Sequence, residues 1–243
     1  MRKAFTLLMC FTALPAATLL AQLPSIGIRG AANWATLTNV VDKGQSRQWP
    51  ITPGFGIVGR LRFDDILFKT ELNYEKKGFK VDIGHGDNTY ERINATYLEM
   101  PIMLEFSPYS SPDFDVYLEW GIFISYWYSG TYELSDTIGG QVVGSEKEID
   151  LFRPDTKHLY NEYDGGMTIG AGLSKSIGGG SQEIYLGVRG SFGFLDAMRY
   201  TGTTTSSRAD GCKNFVMSVT LGYYINHFDN KSRKFRMRKG PYY

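Results

Sequence analysis

The chain has 243 residues, a formal net charge of +1, 14% aromatic residues, 28 glycines, 16 tyrosines and two cysteines. A near-neutral balance supplies no basic surface for nucleic acid, so no nucleic-acid partner is expected. With so few cysteines the chain cannot be a disulfide-stapled scaffold. High glycine and tyrosine together suit a β-barrel better than a helical domain.

In chain order, Arg2 and Lys3 precede an apolar run from Ala4 to Ala21 that is broken only by Thr6, Thr12, Pro15 and Thr18. This is the charged and apolar layout of a secretory signal, with cleavage expected after Ala21. Residues 1–21 are therefore assigned as a signal peptide. Cys10 would leave with it, and so would Arg2 and Lys3, turning the net charge to −1. Only Cys212 would remain, so stability must come from something other than an internal disulfide. Beyond the leader no apolar stretch approaches the ~20 residues of a membrane helix.

The next element, residues 25–36, opens a series of alternating segments that continues with 50–62, 66–76, 92–106, 114–129, 163–176, 182–194 and 213–225. In a strand successive side chains face opposite sides. Phe55, Ile57 and Leu61 alternate with Gly54, Gly56, Arg60 and Arg62; Leu72 and Tyr74 alternate with Lys69, Glu71 and Asn73. Leu98, Met100, Ile102, Leu104 and Phe106 oppose Glu99 and Glu105; Leu118, Trp120, Ile122 and Ile124 oppose Glu119 and Gly121. The last strand sets Phe215, Met217, Val219 and Leu221 against Asn214, Ser218, Thr220 and Gly222. Such sustained alternation predicts half-buried strands.

The connections run alternately long and short: 37–49, 63–65, 77–91, 107–113, 130–162, 177–181 and 195–212. An even strand count with short turns at one end and long loops at the other describes an eight-stranded antiparallel up-and-down transmembrane β-barrel. A soluble lipocalin-like barrel would place the apolar face inside. Two further patterns favour the inverted arrangement. Glycines gather on the polar face, at Gly27, Gly54, Gly56, Gly121, Gly166, Gly170, Gly172, Gly187 and Gly222, where they make room in a narrow lumen. Aromatics lie near the ends of the apolar face, with Trp34, Tyr74 and Tyr126 toward the long loops and Phe106 and Tyr223 toward the short turns.

The lumen would then hold Arg29, Arg60, Arg62, Lys69 and Arg189 with Glu71, Glu99, Glu105, Glu119 and Glu183. Charges confined in this way must pair, because an unpaired buried charge is strongly penalised. A structural ion-pair network filling the lumen is expected; a narrow path for ions or small solutes is the alternative. Catalysis finds little support. His85 sits near Asp87, His158 near Asp155 and Glu162, and His227 in the tail, each in a polar segment. No cysteine–histidine set has metal-ligand spacing, and no cofactor is expected. Gly178-Gly179-Gly180 falls where a tight turn is needed and no helix follows, which favours turn chemistry over a phosphate cradle.

The connection 130–162 mixes Glu133, Asp136, Glu146, Lys147, Glu148, Asp150 and Arg153 with Ile149, Leu151 and Phe152, a composition suited to a surface loop that binds. After residue 225 the chain turns basic, with Lys231, Arg233, Lys234, Arg236, Arg238 and Lys239. Residues 22–225 form the expected barrel domain, and 226–243 a basic periplasmic tail able to meet an acidic partner or lipid headgroups.

Several segments carry a family resemblance. Gly27-Ile28-Arg29-Gly30-Ala31-Ala32-Asn33, followed by Ala35 and Leu37, resembles the G-x-x-x-G-x-N-x-S-x-L opening of the outer-membrane β-barrel family of Bacteroidota, whose members are called PorT-like or porin-family proteins. Phe68 to Gly78 is similar to its l-x-x-E-l-x-Y-x-x-K-G hairpin, and Tyr97-Leu98-Glu99-Met100-Pro101-Ile102 to its Y-L-E-i-P-l strand. Asp164 to Gly172 resembles D-x-G-x-x-x-G-x-G, and the strand ending at Tyr224 the closing one. Ala31 and Ala35 depart from the pattern toward small residues. The resemblance spans 25–225. It implies a location in the outer membrane of a Gram-negative cell, contact with outer-membrane lipid, and a non-enzymatic role in envelope transport or type IX protein secretion. Secretion-system or periplasmic proteins are the implied partners; the basic tail that could meet them lies outside the resemblance. It carries over no active-site residues.

Overall fold

Strands with one apolar and one polar face leave unpaired backbone groups wherever a sheet has an open edge, and closure into a ring removes that edge. The computed structural model describes residues 25–38, 46–63, 66–82, 90–111, 113–138, 141–149, 161–197 and 213–226. The signal at 1–21, the three histidines, Cys212 and residues 227–243 lie outside these. Ten strands form: β1 (Ser25–Leu37), β2 (Ser46–Gln48), β3 (Ile51–Phe63), β4 (Ile66–Asp82), β5 (Tyr90–Ser110), β6 (Asp115–Ile138), β7 (Gln141–Ile149), β8 (Tyr163–Ile177), β9 (Gln182–Asp196) and β10 (Lys213–Ile225).

Eight of them close the barrel in the order β1-β3-β4-β5-β6-β8-β9-β10, and β1 pairs with both β3 and β10. Every pairing is antiparallel. No helix among the described residues is long and apolar enough to cross a membrane. The tight β8–β9 turn holds Gly178, Gly179 and Gly180, all with positive φ (59°, 71° and 97°), which accounts for a run of glycines there.

The faces divide as alternation requires. Ile28, Ile57, Ile122, Ile169 and Leu221 point outward, Ile169 with 69% of its surface exposed. Arg29, Glu71, Glu119, Arg189 and Thr220 on the other face are buried. An exposed apolar belt around the whole barrel is a membrane surface, not a solvated one. Aromatic pairs sit toward the ends of the belt: Phe55 stacks on Tyr74 at 4.9 Å, Tyr126 lies 5.3 Å from Tyr163, and Tyr109 lies 5.9 Å from Phe114.

The strands nearest the long connections run farther than alternation predicts. β4 continues to Asp82, β5 starts at Tyr90 and β6 reaches Ile138. The connection 130–162 is accordingly not one loop: it contains the end of β6 and all of β7, which pairs back from Gly130↔Ile149 to Ile138↔Gln141. The connection 37–49 holds β2, paired with β4. Beyond the apolar belt β2, β4, β5, β6 and β7 thus form an extended sheet. There both faces lie off the hydrocarbon, so backbone pairing persists without the apolar alternation that marks membrane strands. At the junction the β5–β6 register shifts between Thr96 and Tyr97, an irregularity of the kind that bends a strand pair.

Candidate functional site: the charged lumen

Long side chains need space inside an eight-stranded barrel, whose interior is only wide enough for side chains to fill. Two walls meet this need differently. β4, β5 and β6 project Lys69, Glu71, Glu75, Lys77, Glu99, Glu105 and Glu119 inward. The opposing β8, β9 and β10 place glycines at many of the same positions. A Cβ at Gly187 would lie 2.2 Å from the Tyr117 hydroxyl, and one at Gly222 would lie 2.1 Å from the Tyr185 ring. A larger residue at either position would have to displace a buried tyrosine, because the lumen side chains press against the backbone.

The centre of the lumen is one connected ion network. Arg189 donates from Nη1 and Nη2 to the two Glu71 oxygens, each at 2.8 Å, and from Nε to Glu119 Oε1 at 2.8 Å. Arg29 lies 2.9 Å from Glu71 Oε2 and 3.0 Å from Glu75 Oε1. Lys69 Nζ bridges Glu119 (2.8 Å), Glu105 (3.4 Å) and Glu71 (3.6 Å). Arg60 continues the chain to Glu105 at 3.0 Å and Glu183 at 2.8 Å. Paired forks of this kind are the strong form of ion pairing, and each cation serves more than one carboxylate.

Toward the short turns the network ends on aromatics. The Arg60 guanidinium stacks 3.5 Å over the Tyr224 ring, Tyr224 stacks on Tyr185 at 4.9 Å, and Lys69 Nζ lies 4.9 Å from the Tyr185 ring. Toward the loops a second cluster forms. Lys77 pairs with Glu99 and sits 4.8 Å from the Tyr97 ring, which in turn lies 5.7 Å from Trp127. Asp164 accepts from the Gly165 amide and from Asn214 Nδ2, each at 2.8 Å. Between the clusters a cavity of about 10 Å³ is lined by Arg29, Asn33, Glu75, Lys77, Glu99 and Ser191. That is room for about one water.

Of the residues singled out in the sequence, Arg29, Arg60, Lys69, Glu71, Glu105, Glu119, Glu183 and Arg189 meet in the central network. Glu99 belongs to the loop-side cluster with Lys77. Arg62 is half-buried, two residues nearer the β3–β4 turn than Arg60. Sequence reasoning missed Glu75 and Lys77, although both continue the odd-numbered face of β4. It also missed Asn33, whose amide donates to Glu75. The buried rings of Tyr97, Tyr185 and Tyr224 share the polar parity of Tyr117 and Glu119, a signal obscured by treating aromatics as belt residues. Among the described residues no group of three or more His, Cys, Asp or Glu could hold a metal ion.

A search of curated proteins finds no match. Among solved structures, Neisserial surface protein A aligns over 83% of this chain and 96% of its own, with 10% identity and a TM-score of 0.43. Outer membrane protein OprG from Pseudomonas aeruginosa aligns over 85% and 98%, with 11% identity and a TM-score of 0.40. Ail, the attachment invasion locus protein of Yersinia pestis, aligns over 83% and 97%, with 13% identity and a TM-score of 0.37. The family described as outer membrane protein beta-barrel domain matches residues 20–199, so the chain belongs to that family of integral outer-membrane barrels.

Proposed function

We propose that this chain is a non-conducting, non-enzymatic outer-membrane barrel whose lumen network is a structural plug and whose work is done at the surface, by the sheet that β4–β7 raise beyond the apolar belt. The observation that carries this reading is the filled lumen: a charge network joins β1, β3, β4, β5, β6 and β9, and the cavity above it measures about 10 Å³. A pathway for hydrated ions needs continuous space along the axis. The test is conductance in a planar bilayer. Flat traces are expected across the voltage range the bilayer withstands; discrete, stable openings would overturn the plug and favour the small porin-like channel. Among the described residues buried carboxylates outnumber buried cations, so such openings would be cation-selective.

The PorT-like, type IX secretion role suggested by the Bacteroidota resemblance is the specific form of this reading, with secretion-system or periplasmic proteins as partners. Deleting the gene and assaying secreted proteins tests it, and unchanged secretion would remove it. The same proposal divides the chain into a cleaved signal at 1–21, a barrel at 22–225 and a basic periplasmic tail at 226–243. The amino-terminal sequence of the mature protein, beginning at Gln22, checks the first boundary. Replacing His85 and His158 together leaves the phenotype intact if the protein is no enzyme.

A further inference from the structure

The outer wall carries a concavity of about 540 Å³, lined by Trp34, Trp120, Ile169, Ala171, Val188 and Met217, with Gly170 and Gly190 in its floor. Its origin lies inside. Gly170, Gly172 and Gly187 let the β8–β9 wall sink onto Glu119 and Tyr117. Each outward pair above that wall has one small member: Ala171 opposite Val188, and Gly190 opposite Ile169. The glycines of the two faces differ in kind. A Cβ at Gly190 would meet no heavy atom within 4 Å, so nothing in the protein itself demands glycine there.

The concavity is continuous with the lipid-facing belt, since Trp120, Ile169, Val188 and Met217 are all exposed on that surface. In hydrocarbon a hollow left unfilled forfeits dispersion contacts, and small residues are where another chain can approach closely. One charged side chain shares this outer face of β8: Lys175 is exposed, and its parity is that of Leu173, Ala171 and Ile169. It stands close to the short β8–β9 turn, and short turns lie on the periplasmic side of outer-membrane barrels. From Lys175 to Ala171 the strand rises ~13 Å, four residues at ~3.3 Å each. An acyl chain spanning half of the ~30 Å hydrocarbon core covers that distance.

We propose that this groove seats one acyl chain of a glycerophospholipid from the leaflet on the short-turn side, with the Lys175 ammonium meeting its phosphate. A lysine at the interface can keep its stem in hydrocarbon while its head reaches the headgroup layer. The apolar hollow and a cation ~13 Å further along the same face, toward the short turn, together match one amphiphile, headgroup at Lys175 and chain in the hollow.

The test is native mass spectrometry of the full-length protein in detergent, titrated with phosphatidylglycerol. One tightly retained lipid per barrel is expected. Gly190→Leu, whose Cβ meets no heavy atom within 4 Å, should weaken retention about tenfold or more by filling the floor. Lys175→Gln should weaken it roughly fivefold by removing the headgroup contact. Gly30→Leu serves as the control: a Cβ there also meets nothing within 4 Å, and Gly30 does not line the groove. Retention unchanged in Gly190→Leu, or lowered equally by Gly30→Leu, would overturn the proposal. So would a dimer mass that Gly190→Leu dissolves. Folded-barrel mobility of each variant on unheated gels separates loss of lipid from loss of fold.

Discussion

The β4–β6 wall and the β8–β10 wall face each other across the same lumen and fill it by opposite means. The first contributes Lys69, Glu71, Glu105 and Glu119; the second contributes Gly170, Gly172, Gly187 and Gly222, with Arg189 as its one long cation in the central network. Each wall makes sense only beside the other. Long charged chains without facing glycines would overfill the barrel, and glycines without long chains would leave a pore. The difference teaches that the polar face is a packed core in the sense that applies to apolar interiors, with ion pairs standing where methyl groups would.

The sharpest way to break this complementarity is to remove the cation that bridges the walls. Arg189→Met takes from Glu71 and Glu119 the guanidinium that pairs closely with both, leaving Lys69 to serve the two, and is expected to cost about 3–5 kcal/mol. Denaturant unfolding in detergent, followed by tryptophan fluorescence, would measure it. Combining Arg189→Met with Glu119→Met should restore part of that loss, because an apolar pair of similar volume carries no buried charge. Overfilling from the glycine side comes next. Gly222→Val drives a side chain into the Tyr185 ring and is expected to cost about 1–3 kcal/mol in the same assay.

Smaller still is the aromatic closure near the short turns. Tyr224→Leu removes the ring under Arg60 while leaving the Arg60 salt bridges to Glu105 and Glu183, and a loss of about 1–2 kcal/mol is expected. Conductance of that variant should stay flat, because the Lys69–Glu119–Arg189 layer remains; openings would move the plug to the tyrosines. At the bottom of the scale, Gly30→Ala on the outer face should change stability by less than about 0.5 kcal/mol. A cost comparable to that at position 222 would show that the outer face is packed as tightly as the inner one.

Much of this was legible along the chain. Alternation from Leu98 to Phe106 and from Val116 to Tyr128 marked strands whose side chains could point only two ways, and glycine at 170, 172, 187 and 222 marked the narrow side. The extended sheet was not legible. Lys80 and Glu133 belong to strands, but outside the bilayer neither face must be apolar, so composition there resembles a loop. Lys77, the partner of Glu99, stayed hidden because β4 was expected to stop at residue 76.

By itself the sequence determined the strands, their parity and hence the two-faced wall, since these depend on the two-residue repeat of an extended backbone and on local glycine and turn chemistry. Only the tertiary structure decided which carboxylate each cation serves. Arg189 and Glu71 are far apart along the chain, and register and barrel closure bring them to 2.8 Å. The same closure decided that inward glycines on one wall would hollow the outside of it. Such consequences come from the fit of two walls, and no single strand contains that information.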